Sequence, residues 1–118
     1  MNRAIIPPMD TPPILAELEG KRHALAALCR RFGVVRLELF GSATRGADFS
    51  PGRSDLDFLV TLHPAARDDL SGFADLHEAL EALFGRRVDL VEREAVEASR
   101  NPIRRRRILA EARPLYAA

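Results

Sequence analysis

The run Asp55-Leu56-Asp57-Phe58-Leu59-Val60-Thr61-Leu62 limits what this chain can fold into more than any other segment. Its alternation predicts a strand over 55–62, and residues two apart on a strand share a face. Leu56, Phe58 and Val60 then point to one side, while the carboxylates of Asp55 and Asp57 point together to the other. Such a strand belongs in a sheet whose apolar side is covered by other elements.

The remaining segments supply the cover. Leu18, Leu25, Leu28 and Phe32 recur at helical spacing over 14–32, with Gly33 as a stop, although Gly20 costs that helix about 1 kcal/mol relative to alanine. Residues 34–40 read as a strand, with Val35, Leu37 and Leu39 on one face and Arg36 and Glu38 on the other. Segment 41–54 is rich in Gly, Ser and Arg; its first residues can open a short helix and the remainder is loop. Leu70, Phe73, Leu76, Leu80, Leu83 and Phe84 mark a helix over 67–84 that Gly85 ends, and 87–92 is a third strand. Asn101 and Pro102 start a last helix, by capping and by fitting its first turn, and it runs toward Arg113 before Pro114. Pro7, Pro8, Pro12 and Pro13 make 1–13 an extended arm, which leaves 14–118 as one domain. The order helix, strand, strand, helix, strand, helix predicts an α/β (α+β) fold with a small sheet flanked by helices.

Length and composition agree: 118 residues, 47% hydrophobic and 30% charged, suit a single globular domain. There is no run of 18 apolar residues to span a membrane, and the apolar stretch Ala4 to Ile6 is too short for a secretory signal. Cys29 is the only cysteine, so a reducing cytoplasm is the simplest compartment, and its apolar neighbours make it a core residue rather than a nucleophile. Charge is unevenly spread. From Arg100 onward six arginines face one acid, Glu111, so the last 19 residues carry +5 and the first 99 carry −4. Such a tail either meets something anionic or is simply solvated. Stacking aromatics are scarce beside it, with only Tyr116 nearby, so nucleic acid is not the expected partner.

Three features carry chemistry. Gly41-Ser42 follows a strand and opens a helical turn, where free N–H groups and the absence of a Cβ favour an anion; such junctions are also ordinary caps. Asp55 and Asp57 repel each other unless a cation or proton lies between them, and hard oxygen ligands on a rigid strand suit Mg²⁺ or Mn²⁺. The plain alternative has Asp55 ending a turn and Asp57 paired with Arg53 or Arg45. Asp89 interrupts the apolar run Val88-Asp89-Leu90-Val91, where aspartate is disfavoured. If its strand lies beside 55–62, three carboxylates gather as in two-metal phosphoryl or nucleotidyl transfer; otherwise it is a lone edge-strand acid. His23, His63 and His77 have no metal-ligand spacing.

Taken together, Gly41-Ser42, Arg45-Gly46, Ser54-Asp55-Leu56-Asp57 and Val88-Asp89-Leu90 resemble the nucleotidyltransferase superfamily typified by DNA polymerase β. More narrowly they resemble the minimal nucleotidyltransferase (MNT) proteins of prokaryotes. The likeness runs from Val34 to the C-terminus and takes in Asn101-Pro102-Ile103 and Leu115-Tyr116. The segment between Gly-Ser and the first aspartate, 43–54, is twelve residues, two more than the family's usual spacing, and bears on how the nucleotide is covered.

The resemblance implies a small mixed sheet and a Mg²⁺-dependent enzyme that uses ATP. Gly41 and Ser42 would hold the β- and γ-phosphates, with Arg45 nearby. Asp55 and Asp57 would bind two Mg²⁺ ions, and Asp89 would bind the catalytic ion and help deprotonate the attacking hydroxyl. A small-molecule acceptor usually calls for a further helical domain, and 29 residues after Asp89 are too few for one, so the acceptor is expected on another protein. MNT proteins pair with HEPN-domain ribonuclease toxins and act as antitoxins by moving AMP onto a toxin tyrosine. The competing expectation is a non-catalytic module that masks its partner and keeps a vestigial nucleotide pocket.

Overall fold

The structure is a computed structural model that describes residues 13–45 and 55–118. The extended arm expected over 1–13 therefore lies outside the described residues except for Pro13, as do Gly46 and the Pro-Gly loop up to Ser54. The order of elements is α1 (Pro13–Gly20), α2 (Arg22–Arg31), β1 (Val34–Phe40), α3 (Ser42–Arg45), β2 (Leu56–Leu62), a 3-10 turn (Pro64–Ala66), α4 (Leu70–Phe84), β3 (Val88–Glu92), α5 (Arg93–Glu97), α6 (Pro102–Glu111) and β4 (Arg113–Ala117). The strands form one sheet in the order β3-β2-β1-β4. β1 is antiparallel to β2 and β4, and β2 is parallel to β3, so the sheet is mixed. The parallel pair needs a crossover, which α4 provides.

Alternation on β2 resolves as expected. Leu56, Phe58 and Val60 enter the larger core with Leu37, Leu39, Leu25 and Cys29 of the first elements and Leu76, Leu80 and Phe84 of α4. Phe58 and Phe84 are the aromatic pair at its centre, with ring centroids 5.8 Å apart. Cys29 is fully buried there, and burial pushes its thiol up to about 12, which leaves it unreactive. The opposite face carries a smaller core, in which Phe40 and Leu59 pack under Val96 of α5 and Ile108 of α6.

Several elements differ from the sequence reading. The helix expected over 14–32 is two, because the chain breaks at Lys21, whose backbone leaves helical geometry (φ −107°, ψ 15°). Lys21 then reaches across the fold, donating from Nζ to Leu83 O at 2.8 Å and lying over the Phe84 ring. The helix expected from 67 begins at Leu70, capped by Asp69, which accepts from Gly72 N–H at 2.8 Å, and it ends at Gly85 as expected. The short α5 was not anticipated. α6 starts at the expected Asn101 cap but stops at Glu111, and the chain continues as edge strand β4. Pro114 breaks the helix without preventing a strand, since proline is tolerated at a sheet edge. The gain is a place for Leu115 and Tyr116 against the larger core.

The two faces of β1 also divide differently. Leu37 and Leu39 are buried as expected, but Val35 is exposed because the pairing with β2 slips between Val34 and Arg36. Glu38, on the face expected to be polar, is only 2% exposed under α5. Arg93 Nη1 donates to Glu38 Oε1 at 2.7 Å, and Arg36 Nη2 lies 3.3 Å from Oε2. This bond, the largest cause, raises the Arg93 pKa further. Glu38→Gln removes the charge that both arginines share, and Arg93 is partly solvated, so the expected cost is about 2 kcal/mol. Urea unfolding reads it, and a midpoint unchanged from the wild type would mean that the pair contributes nothing.

Candidate functional site

The acidic residues singled out in the sequence meet at one end of the sheet. Asp57 and Asp89 are direct partners in the parallel β2–β3 register, so their side chains stand on the same face. Phe40, the last residue of β1, lies opposite Asp57 across the antiparallel pair. The next residue, Gly41, has φ +77°, and a Cβ there would run into Asp57 Oδ2. Glycine is thus required twice, for a left-handed backbone and for the close approach of a carboxylate. Gly41 C=O anchors the turn that follows by accepting from the Thr44 N–H at 3.0 Å and the Thr44 hydroxyl at 2.7 Å. Ser42 opens α3 half-buried and Arg45 closes it.

The electrostatics of this cluster are those of crowded acids. Asp57 is pushed up to about 6, first by desolvation and then by the charges of Asp89 and Asp55; Arg45 lowers it, and Glu111 raises it slightly. Asp55 sits just before β2, half-buried, with Arg87 Nε 3.6 Å from its Oδ1. Arg45 donates from Nη1 to Glu111 Oε2, while Arg107 Nε lies 3.6 Å from the same oxygen. Asp89 is exposed. Edge strand β3 is clipped beside it: Val88 N–H donates to Glu81 Oε2 at 2.9 Å, and His77 Nε2 lies 2.7 Å from Val88 O.

Of the residues singled out in the sequence, the structure sets Gly41 against Asp57, pairs Asp57 with Asp89 in register, and brings the charges of Asp55 and Arg45 within reach of Asp57, with Ser42 next to Gly41 at the start of α3. Sequence reasoning missed Thr44, Arg87 and Glu111. Thr44 has a local signal, because a hydroxyl three residues past a glycine can bond back to its carbonyl; Arg87 and Glu111 have none. As the side chains lie, no group of three or more acids, histidines or cysteines among the described residues is arranged to hold a metal ion. Asp55 faces Arg87 instead. The donor set nevertheless fits a divalent cation: hard oxygens, those of Asp57 and Asp89 on one face, with Asp57 held above its ordinary pKa first by desolvation and then by the charges of Asp89 and Asp55. The combination suits phosphoryl chemistry, with acids for cations and glycine backbone and arginine for an anion.

Residues 21–116 match the family model described as the nucleotidyltransferase domain, a span that contains all of these groups. The chain belongs to the nucleotidyltransferase domain family. It is 41% identical over 71 residues to the protein adenylyltransferase MntA of Thermococcus cleftensis, a match that covers 60% of this chain and 68% of that protein. Among solved structures it is similar to a protein described as a minimal nucleotidyltransferase, at 39% identity and a TM-score of 0.66, covering 85% of this chain and 94% of that one. A Shewanella oneidensis complex of a tri-AMPylated HEPN toxin with an MNT antitoxin shares the fold, at 18% identity and a TM-score of 0.54, covering 86% and 73%. So does a toxin–antitoxin complex with AMP-PNP, at 19% and 0.54, covering 82% and 73%. This nucleotidyltransferase is an enzyme by family and has the mixed sheet flanked by helices that its sequence led us to expect. Among its described residues no helix is long and apolar enough to cross a membrane.

Proposed function

We propose that this nucleotidyltransferase is a Mg²⁺-dependent protein adenylyltransferase that moves AMP from ATP onto a tyrosine hydroxyl of a HEPN-type toxin, as its antitoxin. The observation that supports this best is Gly41 backed against Asp57 with Asp89 in register, an arrangement we read as a phosphate site beside a cation site. The similarity to an adenylyltransferase and to toxin-bound MNT folds points to the nucleotide and to the class of acceptor. We read 14–118 as one catalytic domain and the cytoplasm as its compartment.

In this reading Asp55, Asp57 and Asp89 hold two divalent ions, with Mn²⁺ able to replace Mg²⁺. When bound, the ions supply the Lewis acidity that draws negative charge off the triphosphate. Gly41 and Ser42 orient the β- and γ-phosphates from the start of α3, and Arg45 offsets the charge that develops there. Asp89, the most exposed of the three acids, takes the proton from the acceptor hydroxyl. That oxygen bonds to the α-phosphorus, the bond from α-phosphorus to the bridging oxygen breaks, and pyrophosphate leaves with the electron pair.

Label transfer tests the proposal. Purified protein, Mg²⁺ and α-labelled ATP are incubated with a HEPN toxin from the same source, beside the variant Asp55→Asn/Asp57→Asn. The expected result is a labelled toxin band, mapped to tyrosine by mass spectrometry, that the double variant does not produce. Toxin neutralised equally by both proteins, with no label in Mg²⁺ or Mn²⁺, would instead identify a non-catalytic masking module with a vestigial pocket.

A further inference from the structure

The face of the sheet that carries Asp57 and Asp89 continues beyond the acids. Val91 follows Asp89 by two positions on β3, so it shares that face and stands about 7 Å farther along the strand. There Val91, Val96 of α5 and Ile108 of α6 line a groove of about 200 Å³, together with Ala95 and the arginines Arg104 and Arg105. It has room for a large apolar side chain. The charges around it are unequally used. Arg105 donates from Nη1 to Ser99 O at 2.6 Å. On α5, Glu94 lies 2.9 Å from Arg67 and Glu97 lies 3.0 Å from Arg93, so both acids are engaged. Arg104 is exposed, and no carboxylate among the described residues pairs with it.

Local forces also oppose Arg104. It stands in the first turn of α6, where the helix dipole disfavours a cation, and three positions before Arg107, whose like charge repels it. Departures from local preference concentrate at functional positions, and a carboxylate brought by another molecule would offset this one. We propose that the groove docks the acceptor protein, taking an apolar side chain that is flanked by a carboxylate, from an acidic segment next to the hydroxyl that receives AMP. This rests on the transfer reading above. An extended chain advances about 3.3 Å per residue, so a partner side chain seated over Val91 leaves a residue two or three positions away beside Asp89. The competing account is a packing gap beneath a solvated arginine.

Calorimetric binding and label transfer, with the full chain and the HEPN toxin from the same source, separate the two. Ala95→Phe fills the groove from an exposed position, and Arg104→Glu reverses the charge at its mouth. Glutamate suits the first turn of a helix, so the second variant should melt no lower than the wild type. Each variant should weaken toxin binding about tenfold and raise the KM for toxin by a similar factor. Affinity for a non-hydrolysable ATP analogue should stay within about twofold. Arg104→Lys should recover most of the loss. The effect of Arg104→Glu should shrink in about 0.5 M salt, and that of Ala95→Phe should persist. Toxin binding unchanged in both variants, or a loss shared equally by the ATP analogue, would overturn the proposal. So would binding of poly(U) RNA that Arg104→Glu abolishes while toxin binding holds, which would assign a nucleic-acid surface instead. Toxin binding that depends on Ala95 and Arg104 without any label would sustain the groove and fail the transfer reading. A toxin that neither binds nor takes label would fail both.

Discussion

Asp57→Asn is expected to lose at least about three orders of magnitude in transfer while making the metal-free protein more stable. The first effect follows because cation ligation supplies several kcal/mol to transition-state charge, and about 4 kcal/mol corresponds to ~10³ in rate. The second follows from the proton. The pKa of Asp57 in the fold, about 6, lies above its ordinary 3.8, so the folded protein binds this proton more tightly than the unfolded chain does. Stability is therefore lost as pH rises through that window, and the full penalty stands at neutral pH. Taken at face value the shift would amount to about 3 kcal/mol. For a half-buried acid with solvent and Arg45 nearby we expect about 1 kcal/mol, or about 4 °C in Tm. Asparagine carries no such charge. In EDTA at pH 7.5 the variant should melt above the wild type, and the gap should close below about pH 4. Mg²⁺ should then raise the wild-type Tm and leave the variant unchanged. Equal melting of the two metal-free proteins at pH 7.5 would mean that neither burial nor its neighbours' charges penalise the Asp57 carboxylate.

Gly41→Ala separates backbone strain from the close approach of Asp57. At φ +77° an L-residue costs about 1–2 kcal/mol. The added Cβ must also displace the Asp57 carboxylate from its place beside Asp89, and misplacement by about 1 Å typically costs ~10² in rate. Gly85→Ala is the control. Its φ is also left-handed, +64°, but a Cβ there meets nothing within 4 Å. Both variants should lose comparable stability in urea, and only Gly41→Ala should lose label transfer, by about a hundredfold. If both keep full activity, the contact between Gly41 and Asp57 has no catalytic meaning.

The parts of the site that were legible share a property: each is announced by residues a few positions apart. The two-residue period of 55–62 places Asp55 and Asp57 opposite Leu56 and Phe58 whatever the strand pairs with. Gly41-Ser42 marks a strand-to-helix turn through its own conformational needs, and Asp89 is conspicuous because its neighbours Val88, Leu90 and Val91 are apolar. Asn101 and Gly85 likewise mark helix ends through local capping. The misreadings were of another kind. One helix was expected over 14–32 because Lys21 looks like any helical lysine; its contacts with Leu83 and Phe84 lie on an element more than 60 positions away. No strand is expected after Pro114, because Leu115 and Tyr116 show no alternation over so short a stretch.

What local chemistry settles, then, is that this chain makes an acidic face on a strand and a glycine turn able to take an anion. Hydrophobic period, residue type and backbone freedom all act over a few bonds. Which acids come together is a matter of sheet order: Asp57 meets Asp89 only because β3 lies parallel to β2, and that register is set by the packing of α4 across the larger core. Whether Glu38 is buried depends on α5 lying over its face, and whether Arg45 meets Glu111 depends on where α6 ends. Charge pairs of this kind leave no trace in hydrophobic pattern, because their energy comes from desolvation and proximity that exist only once distant segments are packed.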